Sequence, residues 1–259
     1  MLLAEMNWPD VKARVPDTPV VVPLAAVEQH GYHLPLATDS MLLGEVVRRV
    51  EPMVREKAIF APLLWMGNSH HHMEYAGTLS ADPRTYLDLL NDILENLLFH
   101  GFRRIMFLNG HGGNITPLKQ AIFEVRQRHR ARADLLLLGA SYWDFADLRN
   151  PEMGLSQTSV GHACELETSM MMVIRPDLVG EFRTREPRDM GYSFEPAYRG
   201  WITRERVPAG ADAPGHLGEP ALASREKGEQ LLGAFSAGVA AFIEKVAAWD
   251  GHSWEFRTE

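Results

Sequence analysis

Apolar and polar positions fall into short blocks whose spacing switches between strand and helix. Residues 19–27, PVVVPLAAV, are a β-branched apolar run that predicts a buried strand ending at Glu28. Thr38-Asp39-Ser40 has the chemistry of a helix start, and that helix is expected to run to about Glu56. Residues 58–65, AIFAPLLW, predict a second strand, followed by a polar, histidine-rich loop. Asp82-Pro83 opens a helix whose Leu87, Leu90, Ile93, Leu94, Leu97 and Leu98 recur at helical spacing. Arg104–Leu108 predicts a third strand, which runs straight into Asn109-Gly110-His111-Gly112-Gly113-Asn114. A helix over Thr116–Arg130, a fourth strand over Asp134–Leu138, an irregular stretch at 142–160 and a helix over 162–174 follow. Residues 176–221 are a loop rich in proline and glycine, and SREKGEQLLGAFSAGVAAFIEKV predicts a closing amphipathic helix. Strands that alternate with helices of this length point to an α/β chain, a mostly parallel central sheet with helices on both faces. No stretch has the composition of a linker, so residues 1–259 are read as a single domain.

Composition narrows the function classes. The chain has 259 residues, 46% of them hydrophobic and 23% charged, an ordinary balance for a protein with a buried core. A net charge of −8 argues against a general nucleic-acid binder and against a basic membrane-surface protein. No unbroken apolar run approaches the ~18 residues that span a bilayer. The start, MLLAEMNWPD, has no basic region of the kind that begins a signal peptide, so a cytoplasmic location is expected. A single cysteine, Cys164, excludes an internal disulfide framework and a thiolate zinc cluster. Any metal must therefore be held by histidine and carboxylate.

In open α/β sheets, sites gather at the carboxyl ends of the strands. Polar residues gather there in this chain: Glu28-Gln29-His30-Gly31-Tyr32-His33 after the first predicted strand, and the His111 loop after the third. If extended geometry continues to residue 30, Glu28 and His30 project to the same side. Asp39 stands nine residues beyond His30 at a helix mouth, and Glu165 and Glu167 lie on the helix predicted in GHACELETS. Carboxylates and imidazoles together suit divalent zinc, manganese or iron(II). The charges also balance for a two-metal site. Three carboxylates (Glu28, Asp39 and Glu167) and one bridging hydroxide neutralise two divalent ions. Such ions lower the pKa of bound water toward ~7 and stabilise an oxyanion.

Each residue also has a plainer reading. Asp39 could cap a helix, Glu28 could be an exposed strand-end charge, and His111 could be a turn residue. Glu165 and Glu167 could be solvated helix charges. Three consecutive residues do not all face one ion, so His70-His71-His72 is not read as a metal site, and His72 alone is read as a pocket residue. Other catalytic readings are weaker. The HGGN loop is like a lipase oxyanion loop, but the nucleophile pentapeptide G-x-S-x-G is absent. Cys164 and His162, two apart on a predicted helix, would point to different faces, which leaves Cys164 as a small buried hydrophobe. The glycines at 110–113 could face a phosphate, but no P-loop lysine accompanies them.

The segments LAAVEQHGYHLPLATDS, HHMEYAGTLS, FLNGHGGN, SYWDF, GHACELETSMM and ASREKGE, in that order from about residue 20 to 230, resemble the creatininase (creatinine amidohydrolase) family. The resemblance implies a creatininase-like three-layer α/β/α sandwich, a homo-oligomer that is typically a hexamer, and hydrolysis of amide carbon–nitrogen bonds, often cyclic ones. By the same resemblance Glu28, His30, Asp39 and His111 are metal ligands, with Asp39 bridging, and Glu167, near the metals, is expected as a further ligand and catalytic residue. His162 is implied as the proton shuttle and Trp143 as a pocket wall, with His72 and Tyr75 of HHMEYAGTLS beside the substrate. The expected cofactor is one or two divalent ions, zinc before manganese or iron, and the expected partner is a small-molecule amide. Three positions depart from creatininase itself. Gly113 stands where it has a second-metal glutamate, Thr158 where it has a tryptophan, and Gly161 where it has a glutamate. These departures point to a member that does not use creatinine. The N-G-H-G-G-N form is shared with relatives acting on other amides, among them a formamide hydrolase and a peptidase. Two rival readings follow, a metallopeptidase whose groove is lined by Tyr198, Trp201 and His216 from segment 183–220, and a non-catalytic metal- or ligand-binding relative.

Overall fold

The computed structural model describes residues 1–157, 159–188 and 214–252. Four parallel strands form its sheet: β1 (Val20–Leu24), β2 (Ile59–Phe60), β3 (Arg104–Asn109) and β4 (Leu136–Ser141), in the order β2-β1-β3-β4. The helices are α1 (Trp8–Lys12), α2 (Thr38–Met53), α3 (Pro83–Phe99), α4 (Ile115–Arg128), α5 (Glu165–Ile174) and α6 (Arg225–Ala248).

Strand alternation sorts the core into two layers. Val20, Val22, Leu24, Ile59, Ile105 and Phe107 face α3 and α4, where they meet Leu90, Leu94, Leu118 and Val125. Val21, Phe60, Met106 and Leu108 face the other way, onto Leu42 and Val46 of α2, Met170 of α5 and Phe235 and Val239 of α6. Because both faces are covered, the strands read as continuous apolar runs rather than alternating ones. The result is the three-layer α/β/α sandwich expected from the pattern.

The ends of the elements differ from expectation. β1 stops at Leu24, four residues short of Glu28, and β2 keeps only two residues because Pro62 follows it closely. Asp82 and Ser224 cap α3 and α6 with their side chains. Helix α6 is, by length and composition alone, apolar enough to cross a membrane, but Leu231, Leu232, Phe235, Val239 and Ile243 are buried against the sheet layer, as in a core helix. Gly228 makes its close approach to α5 feasible, since a Cβ there would lie 2.1 Å from the Ser169 carbonyl.

Connections leave β1 in one direction to β2 and return past it to β3. The carboxyl ends of β1 and β3 therefore flank the point where strand order reverses, the usual place for a crevice in an open parallel sheet. Glu28 and His30 follow β1, and His111 follows β3.

Candidate metal centre

Glu28, His30, Asp39, His111 and Glu167 are all at most 5% exposed and converge at this edge. The N-termini of α2 and α5 point at it, which places Asp39 and Glu167 in first turns, where the helix dipole favours negative charge. Asp39 is not the cap of α2. Ala37 holds that position, and the Asp39 carboxylate turns inward instead. Its Oδ1 lies 3.1 Å from His30 Nε2 and its Oδ2 lies 3.0 Å from His111 Nδ1. Glu28 Oε2 lies 3.4 Å from His111 Nε2, and Glu167 Oε1 lies 3.9 Å from His30 Nε2.

Three imidazoles are oriented in the same way. One ring nitrogen is tied to a backbone carbonyl and the other faces a carboxylate. His30 Nδ1 donates to the Glu28 carbonyl (3.2 Å), His111 Nε2 to the Asn68 carbonyl (3.1 Å) and His162 Nε2 to the Gln29 carbonyl (2.6 Å). That is the supporting bond that fixes the tautomer of a metal-ligating histidine. The His111 backbone is itself gripped by Asn109, whose amide bonds both its N–H and its carbonyl.

The electrostatics are those of crowded, buried anions. Burial raises Glu28 to about 7, against the pull of His111 and with a push from Asp39. Burial likewise raises Glu167 to about 7, against His30. Burial pushes Asp39 upward too, but His30 and His111 hold it well below the usual carboxylate range. Burial would depress His30, yet Asp39, with Glu167 and Glu28, raises it to about 10. Three carboxylates cannot all stay ionised in such a place without positive charge beside them. Glu28 Oε2 and Asp39 Oδ2 also lack any aligned hydrogen-bond donor although both are buried. Donor atoms of Glu28, His30 and Asp39, and of His30, His162 and Glu167, lie within 4.8 Å of one another. The donor set, the orphaned oxygens and the spacing all fit a divalent cation.

A cavity of about 1020 Å³ opens over this cluster. Its wall includes Glu28, Asp39, His111, His162, Glu167 and Trp143. His72 also lines it, with Nδ1 accepting from the Gln29 amide at 2.8 Å and its ring stacked 4.5 Å from His162. Tyr75 is placed differently. Its ring lies 6.1 Å from that of His72, and it does not line the cavity. His216 is buried with Nε2 on the Glu186 carbonyl and is not in the wall either. Thr158, Tyr198 and Trp201 lie outside the described residues.

Several expectations need correcting. Glu165 and Glu167 are both buried rather than solvated. Glu165 points away from the cavity and accepts from Lys227 Nζ (2.6 Å) and from the Ser156 and Gln157 N–H groups. Glu165→Gln should therefore leave metal content unchanged but lower unfolding free energy in urea by about 3 kcal/mol. That is the low end for a broken buried pair, because Lys227 is 21% exposed. Helix α5 starts at Glu165, so His162 and Cys164 precede it. Ala163 between them takes a left-handed φ of +48°, and its N–H donates to Glu167. Cys164 is buried, and burial lifts its thiol to about 12, so it is inert for that reason rather than for its helical spacing. The histidine triplet is split. His71 and His72 both line the cavity, whereas His70 does not. Gly113 has no room for a side chain at all, since a Cβ would lie 2.1 Å from the Asn68 carbonyl.

The family model described as creatinine amidohydrolase matches residues 4–243. The creatinine amidohydrolase of Pseudomonas putida is 30% identical over 268 residues, covering 95% of this chain and 96% of its own. The mycofactocin precursor peptide peptidase of Mycobacterium tuberculosis is 29% identical over 89% of this chain and 85% of its own. Among solved structures, a mutant creatininase of the Zn-Zn type superimposes with a TM-score of 0.78 at 30% identity, over 94% of this chain and 97% of that one. These relatives are hydrolases, and the family match spans all four strands and the loops after them that carry the site residues. By sequence and by fold, this chain belongs to the creatininase family.

Proposed function

We propose that the protein is a divalent-metal-dependent amidohydrolase that cleaves a non-peptide amide carbon–nitrogen bond. One observation carries this reading: three buried carboxylates and three carbonyl-anchored imidazoles meet at the floor of a cavity large enough for a substrate. Glu28, His30, Asp39, His111 and Glu167 would hold the metal, with Asp39 offering one oxygen to each side. A divalent ion there supplies Lewis acidity toward the amide carbonyl and lowers the pKa of a nearby water toward ~7. Zinc fits the His/carboxylate donors and is the metal of the solved creatininase relative of the Zn-Zn type.

His162 moves the proton. Burial and the neighbouring His30 hold it well below the ordinary imidazole value, so it is neutral at pH 7 and begins as an acceptor. Its Nε2 proton is engaged by the Gln29 carbonyl, which leaves Nδ1, 3.5 Å from Glu28 Oε1, as the basic atom. Nδ1 takes a proton from the attacking water and returns it to the departing nitrogen. Trp143 gives the substrate an apolar wall, and Gln29 fixes His72 in the same cavity.

The cavity is at the upper end of the usual range for small-ligand sites, which together with the peptidase relative favours one alternative, a metallopeptidase. Metal-loaded protein should be offered cyclic amides, formamides and peptides, with and without chelator. The proposal expects turnover of a non-peptide amide that chelation abolishes and zinc or manganese restores. Turnover of peptides alone would replace it with the metallopeptidase reading. Bound metal with no turnover of any class would leave a non-catalytic metal-binding relative.

A further inference from the structure

The carboxylate of Asp39 divides the cluster in two. One half, around Oδ1, holds His30, His162 and Glu167, whose donor atoms lie within 4.8 Å of one another. The other, around Oδ2, holds His111 and Glu28, and here a residue outside the ligand set above enters. Donor atoms of Glu28, His71 and His111 also lie within 4.8 Å of one another. The His71 ring is stacked on that of His111, 5.7 Å between centroids and 11° between planes. Glu28 Oε2, in the same group, is the buried oxygen without an aligned donor.

Chain geometry leaves this position to His71. Gly113 closely approaches the pair, since a Cβ there would lie 2.5 Å from His111 Nε2 and 2.8 Å from His71 Cε1. No side chain can be added at Gly113 to reach an ion, and the space beside His111 is already filled by His71. The backbone achieves this with a 3-10 turn over His70–His72, which sends His71 and His72 to the cavity and leaves His70 outside it.

We propose that His71 completes a second cation site with Glu28 and His111, with Asp39 shared between it and the deeper site. Two imidazoles and carboxylate oxygens select a borderline divalent transition-metal ion. His71 is exposed at the mouth, whereas His30 and Glu167 on the deeper side are buried, so the second ion is the weaker and more readily exchanged one. This inference rests on the metal reading of the site given above.

The test is metal binding, read without any substrate. Apo protein is dialysed to equilibrium against Zn²⁺ or Mn²⁺ over a concentration series, and bound metal is counted by mass spectrometry. Wild-type protein should bind two ions per chain in separable steps. His71→Ala should keep the tighter step and weaken the second by at least about 100-fold, the upper end of what losing a supporting contact alone costs. His70→Ala should bind as wild type does, and His71→Glu, which returns a donor oxygen, should recover the Mn²⁺ step. Circular dichroism and the melting temperature of the apo forms check that exposed His71 does not govern folding. Two ions bound by His71→Ala with unchanged affinities would overturn the assignment of His71 while the metal reading stood. A single ion on the wild type would overturn the second site. No ion on the wild type would overturn both.

Discussion

Asp39→Asn removes both the metal and the activity. The substitution keeps shape and volume at the second position of α2, where the side chain makes no capping bond, so the helix survives it. It takes one negative charge from between two imidazoles, His30 at 3.1 Å and His111 at 3.0 Å, and replaces the two anionic oxygens aimed to either side by one neutral amide oxygen. An amide has one acceptor oxygen, and its NH₂ would turn a donor toward whichever half it faced. Because Asp39 is shared, both halves weaken together. We expect metal per chain, counted by mass spectrometry, to fall to a small fraction of wild type. Hydrolysis should fall by at least about 1000-fold, since oxyanion stabilisation and water ionisation are lost at once. Far-UV circular dichroism should be unchanged. Retention of the full metal complement by Asp39→Asn would remove Asp39 from the centre of the account.

His162→Ala separates proton transfer from metal binding. The ring stands over His30 at 4.4 Å and beside His72 at 4.5 Å, with Nδ1 toward Glu28. Its loss should lower kcat by about 100- to 10,000-fold, the range of a general acid–base group, with bound metal at the wild-type level. The pH dependence carries the sign. With its pKa held well below the ordinary value, His162 acts as the neutral acceptor, so wild-type kcat should fall as pH drops through that depressed value. The acid limb contributed by His162 should be absent from the variant. Wild-type kcat on the same amide would refute the shuttle, and a loss of metal instead of kcat would make His162 a ligand.

The layers and strand ends of this molecule could be read from spacing because parallel strands buried on both faces must be apolar throughout. Val20–Leu24 and Ile105–Leu108 are such runs, and polar residues soon after them have little choice but to lie at the crevice. Glu28, His30 and His111 were legible for that reason. Asp39 was legible only as an alternative to a cap, since the same residue type serves both roles, and the structure decides it by placing Ala37 at the cap. Glu165 and Glu167 were not separable by spacing, and only the family resemblance singled out Glu167. They lie two apart in the first turn of α5, and which one faces the crevice depends on where Lys227 of α6 docks, a contact 62 residues away. His71 was missed because one ion cannot be reached by three consecutive residues in extended or α-helical chain, whereas a 3-10 turn sends two of them the same way. Gly113 gave the complementary signal in the sequence. A missing side chain in a loop of ligands leaves room for a neighbour, but the neighbour comes from a loop more than 40 residues earlier.

The most direct measurement is anomalous diffraction collected on either side of the zinc and manganese absorption edges, from crystals of protein grown with those ions. Anomalous density is predicted on either side of the Asp39 carboxylate, within coordination distance, about 2.0–2.2 Å, of His30 on one side and of His111 and Glu28 on the other. Metal-loaded crystals with no anomalous density there, and with His30 and His111 still bonded directly to Asp39, would contradict it.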